Sequence, residues 1–224
     1  MQLAQGRLKA QINVNALQPE QLSKQVPPQL QKPISGQFRL DADIADFSPK
    51  KLRVTGSGSL RVPQGELAAT NITLNEGQLN ADFQLRDIPI ALLAPQTPPE
   101  FNELLSAQFQ VNADINEFAR NQIQGTGSGS ITIDGNDQNQ QIALSNVRLN
   151  QGNWQGEIQA DHLQLSPFVP NLPPLLQNAV IDTQLTAQGT LDQLTPAGIT
   201  VQGTAAVNQV SGGSVTANVI RLDE

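Results

Sequence analysis

The chain repeats itself, and this repetition restricts its architecture more than any other feature of the sequence. Residues Ile34–Ile44 read ISGQFRLDADI, and residues Leu105–Ile115 read LSAQFQVNADI. Over the twelve positions that begin at Gly36 and at Ala107, six residues are identical at an offset of 71. A fainter third copy begins at Thr183, after a further offset of 76. Self-similarity at a fixed period is typical of proteins built from structural repeats.

The second half of the repeat also recurs. The segment GQLNADF from Gly77 has counterparts in GRLKAQI from Gly6 and in GNWQGEI from Gly152. A proline-marked stretch follows each copy. We therefore predict one continuous module that starts and stops within a repeat and belongs to a longer array. Its parts are the end of a repeat at 1–33, full repeats at 34–104 and 105–179, and the start of another at 180–224.

Apolar and polar residues alternate along much of the chain, which predicts strands with one apolar face. Phe38 and Leu40, for example, alternate with Gln37, Arg39 and Asp41. Each full repeat holds about four or five such short segments, a spacing typical of all-β proteins. The fold class predicted from the residues is therefore all-β.

Turn residues separate the predicted strands. Asn75-Glu-Gly77 and Asn150-Gln-Gly152 predict tight hairpins with glycine at a positive φ, and Pro63-Gln-Gly65 predicts the same. The stretch 134–139 predicts a longer hairpin. The proline-marked stretches lack alternation, and we expect them to form short crossovers that carry one helical turn.

Composition excludes several classes of function. Charged residues make up 15% of the chain, against about 25% in an average protein. The net charge is −7 and the thirteen Lys and Arg residues are scattered, so we expect no nucleic-acid partner. Cysteine is absent, which excludes disulfides and thiolate metal sites. No apolar run approaches the 18 residues of a membrane-spanning helix.

The residues that carry chemistry form no catalytic pattern. His162 is the only histidine, and it occupies the repeat position of Asp87, at an offset of 75. Catalysis by histidine needs a partner side chain at a defined position, and the sequence indicates none for His162. This favours a structural or solvent-exposed role for the residue. The glycine-rich segments at 56–58 and 125–129 lack the Gly-Lys-Ser/Thr sequence of a phosphate-binding loop. We therefore predict a protein that is not an enzyme and has no cofactor or metal.

The order of these motifs resembles the periplasmic TamB family (translocation and assembly module, of the AsmA-like superfamily), in particular its long cyanobacterial and plastid-type branch. The resemblance covers essentially all 224 residues. A Leu/Ile-Ser-Gly/Ala-x-Phe strand, a Thr-Gly-x-Gly strand, an Asn-x-x-Leu-x-x-Gly hairpin and a Pro-Pro crossover carry it. The third copy departs from this pattern at Leu185 and Gly203, so its register is not assigned. In the second full repeat the matching residues are Leu105-Ser106, Phe109, Gly127, Asn146, Leu149, Gly152 and Pro173-Pro174.

The resemblance implies an elongated, U-shaped antiparallel sheet with an apolar inner groove. It implies a periplasmic location, or the plastid intermembrane space, with an inner-membrane anchor outside this segment. The implied function is to carry phospholipid along the groove between the inner and outer membranes. The implied partner is an outer-membrane barrel protein of the Omp85 type. A scaffold for the assembly or translocation of outer-membrane proteins is the alternative role in this family.

The residues themselves also favour binding along an apolar face. A single sheet must cover its apolar side, and full burial of each large side chain contributes ~1.5–3 kcal/mol. An extended apolar strip suits acyl chains, which need area rather than hydrogen bonds. We predict that acyl chains contact side chains that share one alternation phase, namely Phe38, Leu40, Phe83, Leu85, Phe109, Val111, Trp154 and Ile158.

Two further expectations concern other partners. A tandem array of immunoglobulin-like sandwiches in a surface adhesin has repeats of similar length, although the chain has no tyrosine for a tyrosine corner. Strands that end the sheet expose unpaired backbone groups, so we also expect end-to-end self-association of the fragment.

Overall fold

A computed structural model describes residues 2–4, 6–18, 32–46, 48, 50–62, 64–93, 103–115, 123–133, 140–164, 174, 178–190, 198–210 and 213–222. These residues form thirteen strands and one helical turn, so the predicted all-β class is confirmed. The strands are β1 (Gln2–Ala4), β2 (Arg7–Leu17), β3 (Ile34–Asp43), β4 (Arg53–Arg61), β5 (Glu66–Asn75), β6 (Gln78–Pro89), β7 (Leu104–Asp114), β8 (Ile123–Ile133), β9 (Gln140–Asn150), β10 (Asn153–Gln164), β11 (Val180–Thr190), β12 (Ile199–Val210) and β13 (Gly213–Leu222).

The strands are hydrogen-bonded in the order of the chain. The chain forms two compact units, 1–126 and 127–224, whose boundary falls inside β8. Within the first unit, each strand from β1 to β6 pairs antiparallel with the next one, up to β7. Within the second unit, each strand from β9 to β12 pairs in the same way with the next one, up to β13. Each full repeat contributes four strands in its described residues, within the predicted range of four or five, and these strands are 9 to 12 residues long.

The register of the sheet repeats with the sequence. Phe38 in β3 lies opposite Ile12 in β2, and Phe109 in β7 lies opposite Phe83 in β6. The second pair sits 71 positions after the first. The internal alignment therefore describes a real structural repeat within the first unit.

Two hairpins have the predicted geometry. Two residues separate the paired Asn75 and Gln78. These are Glu76 and Gly77, with φ angles of 53° and 81°. The second hairpin, at 150–153, has the same form, with φ angles of 51° and 77°. A two-residue loop with both φ angles positive is the type I′ turn, whose twist matches that of the flanking strands.

The prediction of a positive φ at Gly65 is wrong. Val62 and Gly65 instead close the connection from β4 to β5 with two backbone hydrogen bonds, of 3.0 and 3.3 Å. Glycine is required there because another strand passes close by. A Cβ at Gly65 would clash with the backbone carbonyl oxygens of Arg86 and Asp87. The predicted longer hairpin at 134–139 lies outside the described residues.

Most of the proline-marked stretches also lie outside the described residues. The predicted helical turn is present in α1 (Ile90–Leu93), which follows β6 directly. The amide of Ile90 donates to the carbonyl oxygen of Glu103, at 2.9 Å. The crossover thus begins and returns at the same end of the sheet.

A β-bulge recurs near the end of one strand in each repeat. In β6 the apolar positions run to Leu85 and resume at Ile88, and the pairing with β7 shifts between these two residues. Asp87 lies inside the shift with a φ of 50°. Its counterparts Ala16 and His162 have φ angles of 52° and 56°. Because the bulge inserts one extra residue, the apolar positions of β6 change from odd to even numbers along the strand. The apolar side chains before and after the bulge therefore stay on the same face of the sheet.

A side chain on the following strand caps each of these bulges. The Oγ of Ser106 accepts a hydrogen bond from the amide of Asp87, at 3.1 Å, and Ser35 accepts one from Ala16, at 3.3 Å. In the third copy a carboxylate oxygen of Asp182 accepts the amide of His162, at 2.7 Å. The serine of the Leu/Ile-Ser motif therefore satisfies a backbone donor that the bulge leaves outside the ladder.

A second bulge recurs in β5 and β9. Asn71 and Asn146 have φ angles of 51° and 52°, in the left-handed region that asparagine tolerates better than most residues. The Asn71 amide donates to Asp82 at 2.7 Å, and the Asn146 amide donates to Glu157 at 2.8 Å. The same donor and acceptor positions thus hold this bulge in both full repeats.

The type I′ turn at 150–153 provides a test of local backbone strain. Alanine at Gly152 should lower the free energy of unfolding by about 1–2 kcal/mol, because a Cβ disfavours the left-handed conformation. No atom lies within 4 Å of the added Cβ, so a clash would not contribute. Urea denaturation measures the loss. Gln151→Gly is the matched variant at the other positive-φ position and should not be destabilising. Unchanged stability in Gly152→Ala would contradict the assigned turn.

Candidate functional site

An apolar face covers one side of the sheet in the first unit. Residues directly opposite one another on neighbouring strands lie on the same face, so the register defines rows that cross β2 to β7. Three rows cross all six strands and contain only apolar residues and glycine. We name as the first apolar face these three rows together with the shorter row Ile12-Phe38-Gly56-Ile72 and the pair Ala81-Val111, which lie in the same alternation phase. The three rows that cross all six strands are Ala10-Leu40-Val54-Leu74-Leu79-Ala113, Val14-Gly36-Gly58-Ala69-Phe83-Phe109 and Leu17-Ile34-Leu60-Leu67-Leu85-Ala107.

The opposite side of the same strands is polar. One of its rows is Gln11-Arg39-Thr55-Thr73-Asn80-Asn112. Some of its charges form ion pairs: Arg7 contacts Asp41 at 2.7 Å, and Arg53 lies 3.8 Å from Glu76. The two sides of the sheet thus differ sharply, because the alternation places amides, hydroxyls and paired charges on one side only.

The first apolar face brings together the six predicted residues of the first unit. Phe83 and Phe109 are direct partners, and Phe38 shares β3 with Leu40. Leu85 and Val111 lie in the same alternation phase on β6 and β7. All six side chains are half-buried. Ile12, opposite Phe38, is 42% exposed. The described part of the chain therefore leaves this face partly open to solvent.

The sequence prediction missed part of this face. Ile12 was not among the predicted contacts, although it alternates with polar neighbours in β2. Val54 and Ile72 were also missed; they lie on β4 and β5, where glycines and a bulge interrupt the apolar pattern. For Ile72 the signal is the change of phase at Asn71, where apolar residues pass from odd to even positions.

The two predicted residues of the second unit lie on its own apolar face. Trp154 in β10 lies opposite Leu149 and Gly189, and Ile158 lies opposite Leu144 and Leu185. Both predicted residues are half-buried. We name as the second apolar face the rows Leu149-Trp154-Gly189-Ile199 and Leu144-Ile158-Leu185-Gly203.

The register of the third copy is now assigned. Leu185 lies opposite Gly203, just as Phe38 lies opposite Gly56. Gly203 therefore takes the place of Gly56 in the repeat. The apolar residue and its glycine partner are both retained, although leucine replaces phenylalanine.

The second unit has a small closed core beside this face. Ile133 is fully buried against Ala160 and Leu163, and Ile131, Ile142 and Ile181 pack around them. Ile133 is the largest side chain with less than 2% exposure among the described residues. Fourteen hydrophobic residues are buried among the described ones, including Leu60, Leu74, Ala107 and Ala113 of the first apolar face, whereas most other apolar side chains of the sheet are half-buried.

The charged groups outside these faces form local contacts rather than a reactive site. Among the described residues, no group of three His, Asp or Glu side chains could hold a metal ion. His162 is exposed, and its Nδ1 lies 3.4 Å from the carboxylate of Asp182. The backbone amide of Ser48 donates to Asp46 at 2.9 Å, and this bond holds the pKa of Asp46 below its usual value. That contact stabilises the turn at neutral pH and is lost as the pH falls through the lowered pKa.

Comparisons with known protein families, with curated proteins and with solved structures gave no match. Within the described ranges, no helix is long and apolar enough to cross a membrane. The geometry of the two apolar faces is therefore the main structural guide to function.

Proposed function

We propose that this chain is a segment of a bridge across the periplasm that carries phospholipid between the inner and outer membranes, with the acyl chains against its apolar faces. The observation that carries the proposal is the first apolar face. Its three longest rows each cross six strands without a polar side chain, and its predicted contact residues are half-buried rather than enclosed. Apolar area left in contact with water favours an occupant.

The chemistry of the face indicates the class of occupant. Its side chains offer no hydrogen-bond donor or acceptor, so a polar ligand would lose its bonds to water without replacement. An acyl chain has no such bonds to lose and gains ~0.8 kcal/mol for each methylene that leaves water. Rows of interchangeable Leu, Val, Ala and Phe also fit a ligand that slides, because no position fixes its register.

The strand topology supports this proposal over the adhesin alternative. An immunoglobulin-like domain needs two sheets packed face to face, whereas within each unit the described strands pair in chain order in a single sheet. The location in the periplasm, the partner of the Omp85 type and the role in outer-membrane biogenesis follow from the resemblance to the TamB family. They form part of the proposal, with the plastid intermembrane space as the alternative location.

The single tryptophan of the chain allows a direct test. Phospholipids with brominated acyl chains quench tryptophan emission on contact, and Trp154 is the only tryptophan. We expect vesicles of brominated phosphatidylcholine to quench its emission strongly, and vesicles of the unbrominated lipid to leave it unchanged. The matched control is Trp154→Phe combined with Gln155→Trp, which moves the indole one position along β10 to the exposed polar side.

The control variant should not be quenched by the brominated lipid. Equal quenching of both proteins would mean that the protein adsorbs to the vesicles without a preferred face, and binding of acyl chains to the apolar faces would be rejected. Quenching of neither protein would also reject acyl-chain binding. A purified outer-membrane protein that shields Trp154 when the lipid does not would instead support the scaffold role.

A further inference from the structure

We infer that one end of strands β2, β3 and β4 docks the first unit onto an anionic membrane surface. Five basic residues and one exposed apolar residue, Ile44, form the docking surface. We name the five basic residues together the basic end; they are Arg7, Lys9, Lys50, Lys51 and Arg53. The inference uses no residue of the apolar faces and does not rest on the proposed function.

Strand pairing gathers these residues from two distant parts of the sequence. β2 and β4 both begin at this end with an arginine, and β3 ends between them. Lys9 and Arg53 lie opposite the same residue of β3, Asp41. Lys50 and Lys51 precede β4 in the connection from β3. All five positive side chains therefore lie around the end of one strand.

The next copy of the repeat shows that the fold does not require these charges. The strand that begins at Gln78 pairs with β7 in the register in which β2 pairs with β3. An amide is therefore compatible with the same pairing, and the positive charges of the first copy need another explanation. All five positions carry an amide 71 residues later, namely Gln78, Asn80, Asn121, Gln122 and Gln124.

Four carboxylates lie near the basic end, and each has a partner within the protein. Asp41 accepts two hydrogen bonds from Arg7, at 2.9 and 2.7 Å. Asp43 and Asp46 each accept a backbone amide, at 2.9 Å. Glu76 lies 3.8 Å from a side chain of the basic end. The carboxylates thus neutralise part of the positive charge by local contacts.

The basic side chains extend further into solvent than the carboxylates between them. Three of the basic side chains are 57%, 60% and 66% exposed, whereas those of Asp41 and Asp46 are 30% and 41% exposed. Lys50 is also exposed and forms no ion pair in the described part of the chain. Only Glu76, in the turn after β5, reaches further, at 72%. A surface that approaches the end of β3 therefore meets positive charge first.

Ile44 favours a membrane over other anionic partners. It follows β3 directly, its amide donates to the carbonyl oxygen of Gly6 at 2.9 Å, and it is 46% exposed. Its counterpart Ile115 is half-buried. An anionic membrane offers phosphate groups to the bases and, just beneath them, an apolar layer to Ile44. An acidic protein surface offers the charge alone.

The charge of the whole chain also orients the approach. The net charge is −7, so an anionic surface repels most of the protein and attracts this end. Docking should weaken as salt is added, because exposed charges are screened. The inference therefore predicts binding that depends on anionic lipid, on salt and on the basic end in particular.

Co-sedimentation with vesicles tests the basic end. Vesicles of phosphatidylcholine are compared with vesicles that also contain phosphatidylglycerol, and the difference between them measures docking. Binding to phosphatidylcholine alone reports the apolar faces and is not counted. Lys50→Asn with Lys51→Gln installs the residues of the next repeat. It should weaken the phosphatidylglycerol-dependent binding about 25-fold, since each base near such a surface contributes about fivefold.

The matched control removes two positive charges elsewhere in the first unit. Arg61→Gln with Arg86→Gln changes the net charge equally, and Arg61 ends β4 at the opposite end from Arg53. We expect this control to bind as the wild type does. Equal weakening of both double variants would indicate a general effect of net charge and overturn the inference.

The absence of cysteine from the chain allows a second measurement on protein with an intact basic end. Ile44→Cys labelled with the polarity-sensitive dye NBD should gain emission and shift to the blue on vesicles with phosphatidylglycerol. The same label at Arg61→Cys should not respond. An unchanged spectrum at position 44 on sedimented protein would overturn the inference.

The remaining outcomes separate this inference from other partners. If phosphatidylglycerol adds no binding, membrane docking is overturned, whatever the result of the acyl-chain test. Binding of polyglutamate to the wild type but not to the Lys50→Asn, Lys51→Gln variant would then assign the basic end to an acidic protein. Failure of brominated phosphatidylcholine to quench Trp154 would reject the proposed function and leave docking intact.

Discussion

Replacing Leu40 with aspartate should leave the first unit folded but abolish its capture of phospholipid, whereas replacing Ile133 with aspartate should prevent the second unit from folding. Leu40 is half-buried on the first apolar face, so a carboxylate there can reach water and the loss should be about 1–2 kcal/mol of apolar contact. Ile133 is fully buried, and an unpaired carboxylate there costs several kcal/mol. Val111→Asp should behave as Leu40→Asp does.

Thermal melting followed by circular dichroism measures whether each variant folds and how stable it is. Photocrosslinking of phosphatidylcholine measures whether the folded variant still captures lipid. Arg39→Asp, one position away on the polar side of β3, is the matched control. It should retain both the fold and the lipid. A Leu40→Asp protein that fails to fold, together with a wild type that never captures lipid, would indicate a closed core and favour the adhesin reading.

Replacing Asp182 with alanine should lower the free energy of unfolding of the second unit by about 1–3 kcal/mol, since hydrogen bonds to charged groups are among the stronger ones. One carboxylate oxygen accepts the amide of His162 at 2.7 Å, and the other accepts the side-chain amide of Asn208 at 2.6 Å. Alanine removes both bonds and leaves the bulge at His162 without its cap. Urea denaturation at neutral pH measures the change.

The other repeats supply the matched control for this prediction. Asp182→Ser recreates the cap that Ser35 and Ser106 provide at their bulges. It should recover part of the lost stability by accepting the amide of His162, although the bond to Asn208 is not restored. If alanine and serine at position 182 are equally destabilising, the cap contributes nothing and Asp182 acts only through Asn208.

The local features of the fold could be predicted because they depend on neighbouring residues. The repeat of ISGQFRLDADI predicted equivalent strands, and the register of Phe38 and Phe109 confirms it. Asn-Glu-Gly and Asn-Gln-Gly predicted the type I′ turns, because few residues accept a positive φ. Pro63-Gln-Gly65 looked similar, but glycine is needed there because a side chain would clash with the backbone of β6, which is distant in sequence.

The sequence by itself determined the all-β class, a repeat of about four or five strands and the alternation that separates an apolar from a polar side. Only the tertiary structure decided which strands pair and where bulges change the phase. It also showed how deeply each apolar side chain is buried. Alternation fixes the direction of a side chain relative to its own strand, but burial depends on what lies opposite. Leu40 and Ile133 therefore look alike in sequence, although one is half-exposed on an open face and the other is enclosed in a core.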